Sequence, residues 1–127
     1  MKIVKLIVSV PVEAEEKVRL ALGKTGAGKI GNYSHCSFVV EGKGHFLPLE
    51  GTKPHIGTQG EIASVEEAQI QTVCYEKDLP KVLAAMRAAH PYEEIAYDIV
   101  PLLNHEYDKY VGKCKNESGM MEDGKEE

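Results

Sequence analysis

At 127 residues and 14.0 kDa the chain has the length of one domain, and its 43% apolar and 28% charged residues are ordinary for a soluble globular fold. No apolar run approaches the ~20 residues of a membrane span, and twenty acidic against fifteen basic residues argue against an electrostatic nucleic-acid binder. Three widely spaced cysteines make no disulfide framework, so reduced thiols and a cytoplasmic protein are expected.

The opening MKIVKLIVSV has about the length of a signal-peptide core. Lys5 interrupts it, and no small-residue cleavage site precedes the acidic VEAEE stretch. Ile3 to Val10 therefore reads as a strand covered on at least one face, ended by Pro11. Ala14, Val18, Ala21 and Leu22 form one stripe of a helix, with Glu13, Glu15 and Glu16 where the macrodipole favours anions and Gly23 and Gly26 as its stop. The glycine-rich TGAGKIGNYSH connects it to a second strand from Cys36 to Glu41. EGKGH then reads as a tight turn and HFLPL as a short ribbon folding back, confined to an edge by Pro48. From Gly42 to Gly60 five glycines and two prolines indicate a long loop or ribbon.

Ala68, Ile70, Thr72 and Cys74 alternate with Gln69, Gln71, Val73 and Tyr75 as a third strand that could start as early as Glu61. Asp78 is placed to cap a second helix, with Pro80 in its first turn and a stripe of Val82, Leu83, Met86 and Ala89, stopped by Pro91. Ile95 to Leu103 is a fourth strand. The order β-α-β-β-α-β with two amphipathic helices predicts an α+β, ferredoxin-like split βαβ fold, an antiparallel sheet with both helices on one face. Residues 1–104 make the domain. Residues 105–127 are read as a charged C-terminal tail, partly disordered, because 113–127 carry three lysines against five acids and no apolar period.

Three groups of residues can carry chemistry. Gly26, Gly28 and Gly31 spell G-x-G-x-x-G, but after a helix and before a strand, the reverse of a dinucleotide-binding turn. The bland reading is a helix cap and turn; the functional one is a nest of backbone N–H groups that, with Lys29 and nearby Tyr33, holds an anion. His90, Tyr92, Glu93 and Glu94 surround Pro91. Pro91 rules out a continuous helix that would put His90 and Glu94 on one face. That cluster is either a capped turn with a protonated His90 and solvated glutamates, or a ligand or metal site. His35 and Cys36, with His45 across the expected hairpin, form a soft set for a divalent metal or copper, to which His90 and Glu94 could add. Neighbouring His35 and Cys36 point to opposite faces of a strand, so adjacency makes no nucleophilic dyad.

GAGKIGNYSHCSF, GKGHFLPLEGTKPHIGTQGEI, VEE and AAHPYEEIAYDIVPL, in that order, resemble the inserted domain of the NIF-three-like (NGG-interacting factor three) family. The resemblance runs from about Ile3 to Leu103. Ser34 stands where members usually carry an aspartate, and Gln69 and Gln71 where they usually carry charge. It implies a CutA-like, PII-like fold and a homotrimer with sheets packed about a common axis. It also implies ligand clefts between subunits, with the Gly42–Gly60 loop contacting ligands or partners. Full-length members flank this domain with lobes that bind two metals, and no residue here matches those ligands, so no catalytic residue is expected. The expected function is a non-catalytic, oligomeric binding or regulatory domain without nucleic-acid or membrane partners. Two alternatives remain open: a metal-binding protein using His35, Cys36, His45, His90 and Glu94, and a nucleotide or anion sensor built on Gly26–Gly31.

Overall fold

The computed structural model describes residues 2–112. Four strands, β1 (Ile3–Pro11), β2 (Phe38–Phe46), β3 (Ala63–Tyr75) and β4 (Tyr97–Leu102), form one antiparallel sheet in the order β2-β3-β1-β4. Helices α1 (Glu15–Lys24) and α2 (Leu79–Ala89) pack side by side on one face, each entered through a short 3-10 turn, Val12–Ala14 and Glu76–Asp78. This is the expected ferredoxin-like α+β plan.

Alternation along β1 decides which face is buried. Val4, Leu6, Val8 and Val10 point at the helices and are at most 5% exposed. In register with them on β3 lie Cys74, Thr72, Ile70 and Ala68. Val18 and Leu22 of α1 and Val82 and Met86 of α2 close the layer, the stripes that helical periodicity predicts. Each fully buried Leu or Ile here contributes about 2 to 3 kcal/mol by leaving water. The odd positions of β1 face the other way, with Tyr75 and Val73 of β3, Phe38 and Val40 of β2, and Val100 of β4 beside them. No element among the described residues covers the middle of that face. Phe38 is 67% exposed on it.

Four boundaries differ from expectation. β2 does not turn at Glu41–His45 but runs straight to Phe46, paired throughout with residues 63–71 of β3. Glycines disfavour strands in general; here Gly44 gives up a side chain to the Glu67 carboxylate, which would otherwise have to move aside. α1 continues through Gly23, whose missing side chain makes room for the His35 ring, and ends at Lys24 with Thr25 as its cap. Asp78 precedes α2 without a side-chain capping bond and pairs with Lys77 at 3.5 Å instead. Finally, Asn104–Val111 forms a third helix, α3, over the start of the stretch read as a charged tail. Its Tyr107, Tyr110 and Val111 stripe is exposed, so it adds nothing to the core. Residues 113–127, which hold the rest of that expected tail, lie outside the described residues. Pro101 sits within β4, which tolerates it as an edge strand. No helix among the described residues is long and apolar enough to cross a membrane.

Candidate ligand pocket

The HPYEE turn is built around a neutral histidine. His90, 7% exposed, ends α2 with its N–H on the Met86 carbonyl. Its Nε2 lies 2.7 Å from the Ser9 carbonyl oxygen, which can only accept, so Nε2 carries the proton. Its Nδ1 then accepts the Tyr92 N–H at 3.1 Å. Burial, outweighing the Ser9 bond, lowers the His90 pKa below the ordinary 6.5. Both ring nitrogens are thus engaged. The protonated cap expected for His90 is not formed, and no lone pair is left for a metal.

That histidine fixes the turn which carries Tyr92 across the end of the sheet. Tyr92 Oη donates to Glu67 Oε2 at 2.8 Å. Burial first, then this bond and the Glu67 charge, raise the phenol's pKa well above its ordinary value. The other Glu67 oxygen, Oε1, lies against Gly44, where a side chain would stand on any other residue. Phe46 and His55 complete an aromatic corner around Tyr92, with ring centroids 6.1 and 6.2 Å away and interplanar angles of 59° and 53°.

The loop from 47 to 62 roofs this corner and is tied down at several points. Gly60 N–H donates to the Pro48 carbonyl at 2.8 Å and Gln59 Nε2 to the Thr52 carbonyl at 2.8 Å. The Lys53 N–H donates to Glu93 Oε2 at 2.9 Å, joining the loop to the HPYEE turn. Between loop, turn and sheet lies a cavity of about 270 Å³, lined among others by Phe46, Pro48, Pro54, His55, Ile56, Glu67, Tyr92 and Glu94. It holds three of the sequence-predicted ligand residues, Tyr92, Glu93 and Glu94, and two of the metal candidates, His45 and Glu94. Sequence reading missed Glu67, Phe46 and His55. A glycine inside a strand pattern, which signals close approach of another group, was the available clue to Glu67.

The other candidates lie elsewhere. In the Gly26–Gly31 turn four of the six N–H groups are already spent. Gly26 donates to Gly23, Ala27 to the Thr25 hydroxyl, Gly28 to Val73 at 2.7 Å and Ile30 to Tyr33 at 2.8 Å. Lys29 Nζ turns back to the Gly31 carbonyl at 3.3 Å, and Tyr33 stands 75% exposed at the tip. Gly26, Gly28 and Gly31 have φ of 99°, 84° and 57°, the left-handed backbone that the turn requires. His35, itself at φ 60°, packs its ring on Gly23, with Nδ1 3.0 Å from Ser34 Oγ. Cys36 is held through its backbone, by Gly28 and by the Thr72 hydroxyl at 2.8 Å. The cavity beside them is about 10 Å³, one water at most.

The metal set is therefore divided. Because β2 stays extended, nine residues at ~3.3 Å each separate Cys36 from His45 by about 30 Å. His45 instead meets Ser64 Oγ at 3.3 Å on the neighbouring strand. Among the described residues no three His, Cys, Asp or Glu side chains are placed to hold a metal. Cys36 and Cys74 are both free; burial pushes the Cys74 thiol up in pKa, and it packs as a small apolar group.

No protein-family profile matches the chain. A Bacillus subtilis (strain 168) protein named GTP cyclohydrolase 1 type 2 homolog is 51% identical over 122 residues, 93% of this chain and 32% of its own length. A Halalkalibacterium halodurans protein of the same name is 54% identical over 100 residues, 79% of this chain and 27% of its own. The chain thus spans about a third or less of these curated relatives. Among solved structures, a Bacillus cereus protein related to NIF3 superposes with a TM-score of 0.72 at 50% identity, over 81% of this chain and 26% of that one. CutA1 from Oryza sativa shares the fold with a TM-score of 0.62 at 16% identity, over 84% of this chain and 87% of its own. In sequence the chain is similar to a segment of NIF3-related proteins, and it shares the fold of CutA1.

Proposed function

We propose that this domain acts by self-association and ligand binding rather than by catalysis. The observation that carries the reading is the uncovered sheet face. Phe38, Val40, Tyr75 and Val100, between 40% and 67% exposed, share it in register with Ile3, Lys5 and Ile7 of the central strand. A sheet with helices on one side only leaves apolar surface that a second copy can bury. The cavity at the end of that face, with Tyr92, Glu93 and Glu94, is the ligand site in this reading. The activity suggested by the relatives' name would then belong to a longer protein, to which this segment supplies association and binding. A metal-centred function has less support, because its residues lie at opposite ends of β2.

Light scattering on the purified chain tests the association. An oligomer is expected, trimeric by analogy with CutA-like folds, and Val40→Glu on the open face should reduce it to the monomer. A monomer of the unsubstituted chain at working concentration overturns the reading.

A further inference from the structure

We infer that the cavity under the 47–62 loop takes a small organic cation that carries N–H donors, a primary ammonium or an amidinium or guanidinium group, on an apolar stem. This names the ligand class of the pocket proposed above and rests on that reading.

Charge gives the sign. Glu67, Glu93 and Glu94 line the cavity, and no lysine or arginine does. Two nearby basic residues touch its rim without lining it. Arg87 donates to the Glu93 carbonyl at 3.1 Å, and Lys53 contributes its backbone N–H to the Glu93 carboxylate while its side chain is not part of the lining. A phosphate or carboxylate placed here would meet three carboxylates, with no lysine or arginine and only the His45 and His55 imidazoles to offset them.

Shape gives the rest. The Phe46, Tyr92 and His55 rings meet at 53° to 59°, forming a corner rather than a parallel slot. A corner of ring faces suits a cation, attracted by each ring's quadrupole, better than a flat ligand that must stack between parallel walls. Pro48, Pro54 and Ile56 extend the lining with apolar surface for a stem. About 270 Å³ lies just under the range of drug-sized sites, so the ligand is small.

Glu67 selects the donor-bearing cation. Tyr92 occupies Oε2 and holds the carboxylate in place, while Oε1, with no hydrogen-bond partner among the described residues, lies against Gly44 in the wall of the cavity. An N–H at Oε1 makes a charge-assisted hydrogen bond, which a quaternary ammonium cannot make. Such a cation can come from a free amine or from a lysine or arginine side chain of a second copy.

Titration calorimetry on the full chain with the isosteric series benzamidine, benzamide and benzoate separates the outcomes. Benzamidine is expected to bind at least about tenfold more tightly than benzamide, a difference of about 1.4 kcal/mol, and benzoate not to bind. Tetramethylammonium should bind more weakly than benzamidine. Glu67→Gln should remove most of the preference for benzamidine, and Phe46→Leu should weaken benzamidine several-fold while leaving Glu67 in place. Thermal midpoints of both variants check that they fold. Equal binding of benzamidine and benzamide overturns the cation assignment and leaves the pocket reading standing. Binding of none of the three at millimolar concentration overturns both. Light scattering with excess benzamidine distinguishes the sources. A smaller oligomer means that the cation of a second copy was displaced, and an unchanged mass means that the site serves a free ligand.

Discussion

Two glycine-rich stretches of this chain look alike as letters and do opposite things. In the connector after α1, Gly28 lets the chain pass so close to Cys36 that its own N–H reaches Val73, and four of the turn's six donors are consumed within the protein. In β2, Gly44 makes no turn at all; it withdraws a side chain so that the carboxylate of Glu67 can lie at the edge of a 270 Å³ cavity. One set of glycines closes a structure and the other opens one. Glycine enrichment therefore signals close approach, and only the groups that approach decide whether the result is a sealed turn or a site.

The sharpest way to break this contrast is Gly28→Ala. The added methyl would strike Cys36 backbone atoms at a φ of 84°, where neither partner can swing away. A loss of about 3 kcal/mol is expected in urea unfolding. Gly26→Ala, at φ 99° with open space around it, should cost only the left-handed penalty of about 1 to 2 kcal/mol. Equal losses would mean that the connector is not sealed in the manner described.

His90→Ala comes next. It leaves the Ser9 carbonyl and the Tyr92 N–H without their partner and should cost about 2 kcal/mol. The pH dependence carries its own sign. The folded-state pKa of His90 lies below 6.5, so as pH falls below 6.5 the unfolded chain takes up the proton first. Stability from the neutral ring is present above that pH and is lost on acidification. Urea midpoints measured from neutral to mildly acidic pH should fall in the parent chain and fall less in the variant.

Much of this fold is legible in the sequence because its signals are local. Four even-numbered apolar residues in β1, a stripe on each helix and the prolines at 11 and 91 give the elements and their order. The pocket is not legible for the opposite reason. Glu67, Phe46, His55 and Tyr92 come from β3, β2, the long loop and the turn after α2, and only the register of β2 on β3 brings the first two together. Reading EGKGH as a turn removed that register, and with it both the pocket and the separation of His45 from Cys36. The nest reading of Gly26–Gly31 loses support on a different point. Letters give φ preferences, but not where each N–H is spent.

Tyr92→Phe probes the centre of the pocket at smaller cost. Losing a half-buried hydrogen bond to Glu67 should destabilise the chain by about 1 kcal/mol near neutrality. The folded phenol ionises above the ordinary 10.0, so its contribution is complete below pH 10 and is lost as pH rises beyond it. The alkaline decline in stability should therefore be shallower in the variant.

Gly44→Ala has the smallest expected effect on stability and the greatest power over the comparison. Here the added methyl meets the far end of a flexible side chain, and Glu67 can swing aside. The fold should stay within about 1 kcal/mol of the parent, unlike Gly28→Ala. Its consequence should appear at Tyr92. With the carboxylate displaced, the hydrogen bond and the charge that raise the phenol's pKa weaken, while its burial, the largest cause, remains. The Tyr92 phenolate signal in a spectrophotometric titration should thus move partway down toward the ordinary tyrosine value. A large loss of stability, or an unmoved Tyr92, would show that Gly44 is a structural glycine like Gly28 and that β2 opens no site.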